Sequence, residues 1–478
     1  MNQKIKTIPL IGYSNRLSVR PGEVISFKVS SESKSNFNAS LFRSFSSDPN
    51  PCGQGINEEK ADQFFSPKSF KSRKQDHFPG SYAISSKELK FSTNNNFKID
   101  VNFFNTLKNN SIQTLFNVDC LSIYISKSFK ISCRFYDQII QLPKIIKIRN
   151  WYKIELEFNS LEKTLALKQT DIKNSSLEFK QKIKINKIPK FVTGKVFISA
   201  EMAEKNVSNF FNGKIENPSI LIAEKKDVFK TLVRWDFSKS IPSSVISDLS
   251  KNKINLNIIN FPTRGVTGSK WDGSEMSWKH CPDHYTAIHF HEDDIYDFEW
   301  KTDFEFKVPK EMPSGIFVMR LVCEKYEDNI PFFVCPPKNK NTSDLCVIIP
   351  TFTYSVYGNH ARPDYKESWQ EKIKLWKAYP YNPAEFKSYG LSTYNFHTDG
   401  SGICHASYLR PLLNLKVGYL TFGMSNCSGL RHFQADSHLI SWLNNQKIEF
   451  DILTDEEVHN EKNEVLKNYK TVMTTTDP

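Results

Sequence analysis

Three stretches of this sequence gather side chains able to hold a metal or move a proton. The first is HYTAIHFHEDDIYDFEW, His284 to Trp300. His289 and His291 lie two residues apart, so on a strand they project from one face, and Glu292, Asp293 and Asp294 follow at once. Two imidazoles with a carboxylate suit iron or zinc. The other reading is a boundary strand whose imidazoles and carboxylates hydrogen-bond to nearby loops and to Arg264 of FPTRGVTGSKWDG. The second stretch is PTFTYSVYGNHARPDY, Pro350 to Tyr365, with Tyr354, Tyr357, Asn359 and His360 directly after an expected strand, where open parallel sheets place their chemistry. The third, YGLSTYNFHTDGSGICHASYLRP, Tyr389 to Pro411, carries Tyr394, His397, Asp399, Ser401, His405 and Arg410 in a Gly-rich segment with too few apolar positions to form core. Phenolate oxygen is a hard anionic donor, so tyrosines from two such loops (Tyr354, Tyr357, Tyr394) suit ferric iron once a carboxylate completes the set. Ordinary interface tyrosines are the alternative. His397 and Asp399 are the expected catalytic pair.

Other chemistries find little support. Cys404 and Cys427 have histidines nearby (His405, His432), yet nothing in the sequence places a base and an orienting group around either thiol. There is no G-x-S-x-G elbow, P-loop or G-x-G-x-x-G segment.

The elements that must position these residues change character along the chain. Alternation around a Pro-Gly turn in IPLIGYSNRLSVRPGEVISFKVSS predicts two strands of a sandwich. From about Phe91 to Ala223 many short strands with Asn, Ser and Lys turns predict an all-β jelly roll of the laminin-G or concanavalin kind. The stretch DFEFKVPKEMPSGIFVMRLVCEKYEDNIPFFVCP reads as the last strands of an immunoglobulin-like sandwich whose first strands are N-terminal. The expected domains are therefore 1–90 and 226–340 as one discontinuous immunoglobulin-like β-sandwich, 91–225 as the inserted jelly roll, and 345–478 as an α/β domain. Within the last part, strands are expected at LCVIIPT, VGYLTFG, Ile448 to Asp455 and KTVMTTT, and helices at DSHLISWLNNQ and Glu456 to Tyr469.

Composition sets the outer limits. The 478 residues exceed one ordinary core, and 37 Phe with an aromatic share of 13% favour β-rich packing. No window approaches the roughly 18 apolar residues of a membrane span. Nine scattered Cys without a CxxC pair point to a reducing compartment, so a cytoplasmic protein without a signal peptide is expected. The net charge of +12 is spread over polar strands rather than focused into a nucleic-acid groove, so neither nucleic acid nor membrane is an expected partner.

FPTRGVTGSKWDG, HYTAIHFHEDDIYDFEW, VPKEMPSGIF, YGLSTYNFHTDGSG, RPLLNLK, ADSHLISWL and FDILTDEEVH, in this order, resemble the large (beta) subunit of N,N-dimethylformamidase and its relatives, from GYSNRLSVRPGE to the last residue. The resemblance implies an immunoglobulin-like part, a laminin-G-like jelly roll and an α/β domain related to the glutamine-amidotransferase fold. It also implies hydrolysis of a small N-substituted formamide to an amine and formate by one mononuclear ferric iron held by two tyrosines and a glutamate. Tyr394 in GLSTYNFH matches one ligand, and Tyr354 and Tyr357 both fit the other. The family's His-Pro-Glu segment follows the strand that here reads VMTTTDP, so Asp477 and Pro478 align with its first two residues, with Asp in place of His. On that alignment the glutamate would come next, the α/β domain is incomplete, and the chain alone is expected neither to retain iron nor to turn over. A small alpha subunit and a homo-oligomer are the partners the resemblance implies. The alternative function is a carbohydrate- or ligand-binding jelly-roll protein without catalysis, although Trp151 is the one Trp between Phe91 and Ala223 available for sugar stacking.

Overall fold

In the computed structural model, residues 6–203, 206–225, 228–424 and 426–475 are described. Two compact units form: Pro79–Ile295 with His397–Ser401, and Met1–Phe78 with Tyr296–Phe396 and Gly402–Pro478.

The first unit is a β-sandwich. Strict alternation in FKIDVNFFN points Phe97, Ile99, Val101 and Phe103 inward along the strand Phe97–Asn105. That strand is central to one antiparallel sheet, between Trp151–Asn159 and Gly213–Lys225. The facing sheet runs through Lys130–Phe135, Leu121–Ile125, Gln113–Val118 and Val196–Ile198. Phe97 stacks on Phe158 with centroids 5.0 Å apart, and Phe135 meets both rings edge-on. Each such fully buried ring contributes about 1.5–3 kcal/mol.

This unit is larger than the expected 91–225. Tyr82–Ser85 pairs with Val196–Ile198 and with Leu256–Ile259, while Ala287–Phe290 pairs with Gly213–Lys225 and with Thr263–Val266. Residues 228–295 therefore belong to this sandwich rather than to the expected immunoglobulin-like part. The reason is edge satisfaction: without these strands, Val196–Ile198 and Gly213–Lys225 would present open backbone groups. One consequence is that His289 lies on a paired strand, Ala287–Phe290, with His291 just past its end.

The second unit joins a smaller sandwich to an α/β part. Leu10–Ser14, Val24–Ser31 and Phe304–Lys307 form one sheet; Ser18–Val19, Tyr326–Val334, Gly315–Cys323, Phe37–Ser47 and Ile56–Lys60 form the other. N-terminal strands thus pair with strands from beyond residue 300, and Phe27 stacks on Phe304 at 5.0 Å within their common core. Lys416 is buried in this unit. Its Nζ reaches Asp328 Oδ2 at 2.7 Å and the Gly12 carbonyl at 3.0 Å, while Tyr379 donates to the other oxygen of Asp328.

Leu345–Ile349 is the middle strand of a parallel sheet, flanked by Asp451–Thr454 and Thr471–Thr474. The helix Phe433–Asn445 covers it through Phe433, Ile440 and Leu443. Two elements differ from expectation. Val417–Gly423 makes no strand, because Gly418 turns at φ 77° and its backbone bonds to Ser47 and Tyr379 instead. The helix expected over Glu456 to Tyr469 ends at Glu461, where Lys462 takes φ 56° and a short 3-10 turn follows; its start is held by a capping box between Thr454 and Glu457. Asp477 and Pro478 lie outside the described residues. No helix among those described is long and apolar enough to cross a membrane.

His77 illustrates how this unit responds to acid. Its ring stacks on Phe298 at 4.2 Å and 5°, and burial pushes its pKa down to about 4. The unfolded chain takes up the proton near pH 6.5 and the folded one only near pH 4, so the stability held above pH 6.5 is lost as pH falls through this window, by about 3 kcal/mol. His77→Phe should flatten the pH dependence of urea midpoints between pH 6.5 and 4. An unchanged slope would exclude His77 as the cause.

Candidate functional site

Two clusters gather the residues singled out in the sequence. The first sits at the carboxyl edge of the parallel sheet. Strand Leu345–Ile349 runs into the short helix Thr351–Val356, which is followed by Tyr357 and by Asn359 at φ 61°. Asn tolerates this left-handed conformation, and here its side chain uses it. The Asn359 amide donates to the carbonyls of Tyr389 and Pro411 and accepts from the Leu413 N–H.

A second loop is tied to the first. Asn395 Nδ2 donates to the Ala361 carbonyl at 2.7 Å and its Oδ1 accepts from the Ala361 N–H at 3.0 Å, while Thr393 bonds to the Val356 carbonyl through both backbone and side chain. The fully buried Arg410 completes the tie. Its guanidinium donates to the carbonyls of Gly358, Tyr389, Leu391 and Ser407, and burial brings its pKa down to about 10.

These ties bring Tyr357 and Tyr394 face to face, with ring centroids 4.1 Å apart and planes within 8°. Arg431 lies 4.4 Å over the Tyr357 ring, and the His432 ring is also 4.4 Å away. Tyr394 is half exposed. Tyr354 behaves differently. It is buried among Phe333 and Phe433, and its hydroxyl donates to Asp436 Oδ2. Burial first, and the adjacent carboxylate second, hold its phenol far above the ordinary range. Tyr354 therefore serves as a hydrogen-bond donor to Asp436 within the core, whereas Tyr357 stacks on Tyr394.

The second cluster lies in the larger sandwich unit, and it contains both His397 and Asp399. His289 Nε2 is 3.1 Å from Asp399 Oδ2. His291 Nδ1 is 3.0 Å from Asp294 Oδ2, its Nε2 is 2.9 Å from Ser401 Oγ, and the same Nε2 is 3.8 Å from Asp399 Oδ2. His397 Nδ1 meets Asp293 Oδ1 at 2.7 Å and its ring stacks on His291 at 3.7 Å and 6°. The turn at Gly400, φ 83°, lets Ser401 reach back with both N–H and hydroxyl to Asp399 Oδ1, while Thr106 donates to Oδ2 at 2.5 Å.

Burial alone would push the Asp399 pKa up, but the bonds from His289, Ser401 and Thr106 overcome it and hold the carboxyl well below the usual range. For His397 burial lowers the pKa, and the hydrogen bond and charges of Asp293 and Asp294 more than reverse that. At His289 burial wins, giving about 4. Arg264, expected as an alternative partner of the histidines, instead donates to the carbonyls of Phe237, Lys239, Ser240 and Ser243.

Sequence reasoning did not single out Arg431 or Asp436. Their signal was weak: a polar Arg-His pair before the helix Phe433–Asn445, preceded by Gly429 and with His432 at φ 51°. Cys404 and Cys427 contact the backbone carbonyls of Gly402 and Met424.

Comparison with known proteins adds an independent line. Residues 263–478 match the family described as N,N-dimethylformamidase beta subunit-like, C-terminal. The N,N-dimethylformamidase beta subunit of Paracoccus aminophilus is 28% identical over 526 residues, covering 99% of this chain and 68% of that protein. That of an Alcaligenes species is also 28% identical, with the same coverage. Among solved structures, mouse laminin alpha1 domains LG4-5 align with 38% of this chain and 48% of that one at 10% identity and TM-score 0.22. The Ruminococcus gnavus IT-sialidase CBM40 covers 28% of this chain and 90% of that one at 14% identity and TM-score 0.23. At such scores these structures carry no conclusion, and the sandwich assignment rests on the strand pairing above.

Removing the Arg410 fork strands several buried carbonyls, each worth about 1–3 kcal/mol when unsatisfied. Arg410→Ala should therefore lower stability by about 3 kcal/mol or more in urea unfolding, and Arg410→Lys, which keeps charge but not the fork, should recover only part of it. Equal stability of Arg410→Lys and the parent would contradict this account.

Proposed function

We propose that this chain, similar to N,N-dimethylformamidase beta subunits over 99% of its length, is the large-subunit component of an amidohydrolase that cleaves a small N-substituted formamide to an amine and formate, with Tyr357 and Tyr394 as phenolate ligands of one ferric iron. The observation that carries the assignment is the parallel pair Tyr357 and Tyr394, 4.1 Å apart on two loops at the carboxyl edge of a parallel sheet. Hard anionic oxygens suit a ferric ion. When bound, such an ion supplies a Lewis acid that polarises the formyl oxygen and acidifies water.

The chain's own residues prepare that site. Arg410, Asn359 and Asn395 lock the two loops before any ligand arrives, so the phenols need little reorganisation. Arg431 sets a fixed positive charge over the Tyr357 ring, which offsets negative charge on the donor set. Tyr354 donates its proton to Asp436 and packs against Phe333 and Phe433 rather than acting as a ligand. His397 and Asp399 carry no step in this reading. The beta-subunit naming of the relatives supports a partner alpha subunit for this chain as well.

With ferric ion in excess the protein should show a phenolate-to-iron charge-transfer absorption, and N,N-dimethylformamide should shift it. Tyr357→Phe and Tyr394→Phe should each weaken and shift the band, since each removes one of the two phenolates. Tyr354→Phe should leave the band as in the parent, at a cost of about 1 kcal/mol in stability. Loss of the band in Tyr354→Phe with its retention in Tyr357→Phe would reverse the assignment.

A further inference from the structure

We propose that His289, His291 and Asp399 form a site for one divalent first-row transition ion, a structural staple that fastens the segment His397–Ser401 to the strand Ala287–Phe290 within the larger sandwich unit. All three residues are buried. Their ligand atoms lie within 4.8 Å of one another although His289 and Asp399 are 110 residues apart in the chain.

The spacing matches the chemistry. With bonds of about 2.0–2.1 Å, donor atoms around a tetrahedral ion sit about 3.3 Å apart. The Asp399 Oδ2 distances to His289 Nε2 and His291 Nε2, 3.1 and 3.8 Å, straddle that value. The rings of His289 and His291 are inclined at 43° with centroids 4.1 Å apart, so their planes intersect rather than run side by side. The neighbouring group His291, Asp294 and His397 fails this requirement: an imidazole nitrogen has one lone pair, in its ring plane, and the His291 and His397 planes are stacked 3.7 Å apart within 6° of parallel, so the two do not meet at one ion.

Supporting contacts are those of a ligand set. His291 Nδ1 faces Asp294 at 3.0 Å, the carboxylate–histidine arrangement that turns the Nε2 lone pair towards a metal. Asp294 is itself held by Ser81 at 2.6 Å. Asp399 commits Oδ1 to Ser401, leaving Oδ2 on the side of the two imidazoles. The Ser401 hydroxyl has one proton for two acceptors, His291 Nε2 and Asp399 Oδ1. An ion uses the imidazole lone pair directly and leaves that proton on Asp399. Two imidazoles and one carboxylate select zinc, cobalt or ferrous iron over calcium or magnesium.

Full-length protein freed of metal with a chelator and titrated with Co(II) should bind one equivalent with a visible d–d spectrum. It should melt at a higher temperature with Zn(II) than with the chelator. His289→Gln and Asp399→Asn should abolish the spectrum, and Asp294→Asn should weaken affinity about 10–100-fold. Tyr357→Phe and Tyr394→Phe should leave the spectrum intact, which separates this site from the proposed iron ligands. Should the His289 and Asp399 variants not fold, nitrogen-15 spectra of the parent's imidazoles decide: Zn(II) must shift two ring nitrogens to metal-bound positions. No equivalent of Co(II) bound by folded parent, or a spectrum unchanged in folded His289→Gln, would overturn the proposal.

Discussion

A guanidinium buried without water must place its protons on something, and Arg410 places them on four backbone carbonyls from three loop segments. Loops seldom hold a side chain to within the tolerance that chemistry needs. Here the fork converts two irregular segments, around 356–361 and 389–396, into one rigid body, with Asn359 and Asn395 adding bonds of the same kind. The stacking of Tyr357 on Tyr394 follows from these ties.

The larger sandwich solves the positioning problem by other means. His289 is aimed by its strand, and His291, one residue past the strand's end, is aimed by Asp294 and Ser401. Their aspartate comes from a turn more than 100 residues later, and that turn is anchored by Gly400, Ser401 and Thr106. The strands Leu256–Ile259, Thr263–Val266 and Ala287–Phe290 extend the sheets around it. Had those residues formed part of the smaller sandwich, His289 would have lacked the paired strand that aims it.

The two clusters also differ in donor chemistry. Phenols set over a sheet edge with a cation above them form a hard, anionic set. Imidazoles with one carboxylate form a softer set that suits a borderline divalent ion. Tyr354, three residues from Tyr357, faces Asp436 and the apolar core, and there its phenol serves as a hydrogen-bond donor.

Periodicity and residue type determined much in advance. Alternation in FKIDVNFF and in GIFVMRLVC marked core strands, the proximity of His289 and His291 followed from their spacing, and segments from FPTRGVTGSKWDG to FDILTDEEVH carried the resemblance to the N,N-dimethylformamidase beta subunit. Val417–Gly423 and the end of the last helix were misread because turns depend on single φ values at Gly418 and Lys462, which hydrophobic patterning does not encode. The bond of Tyr354 to Asp436, the extent of the larger sandwich and the meeting of Asp399 with His289 were decided only by tertiary structure. Each depends on contacts between residues far apart in the chain, and no local property of either partner carries that information.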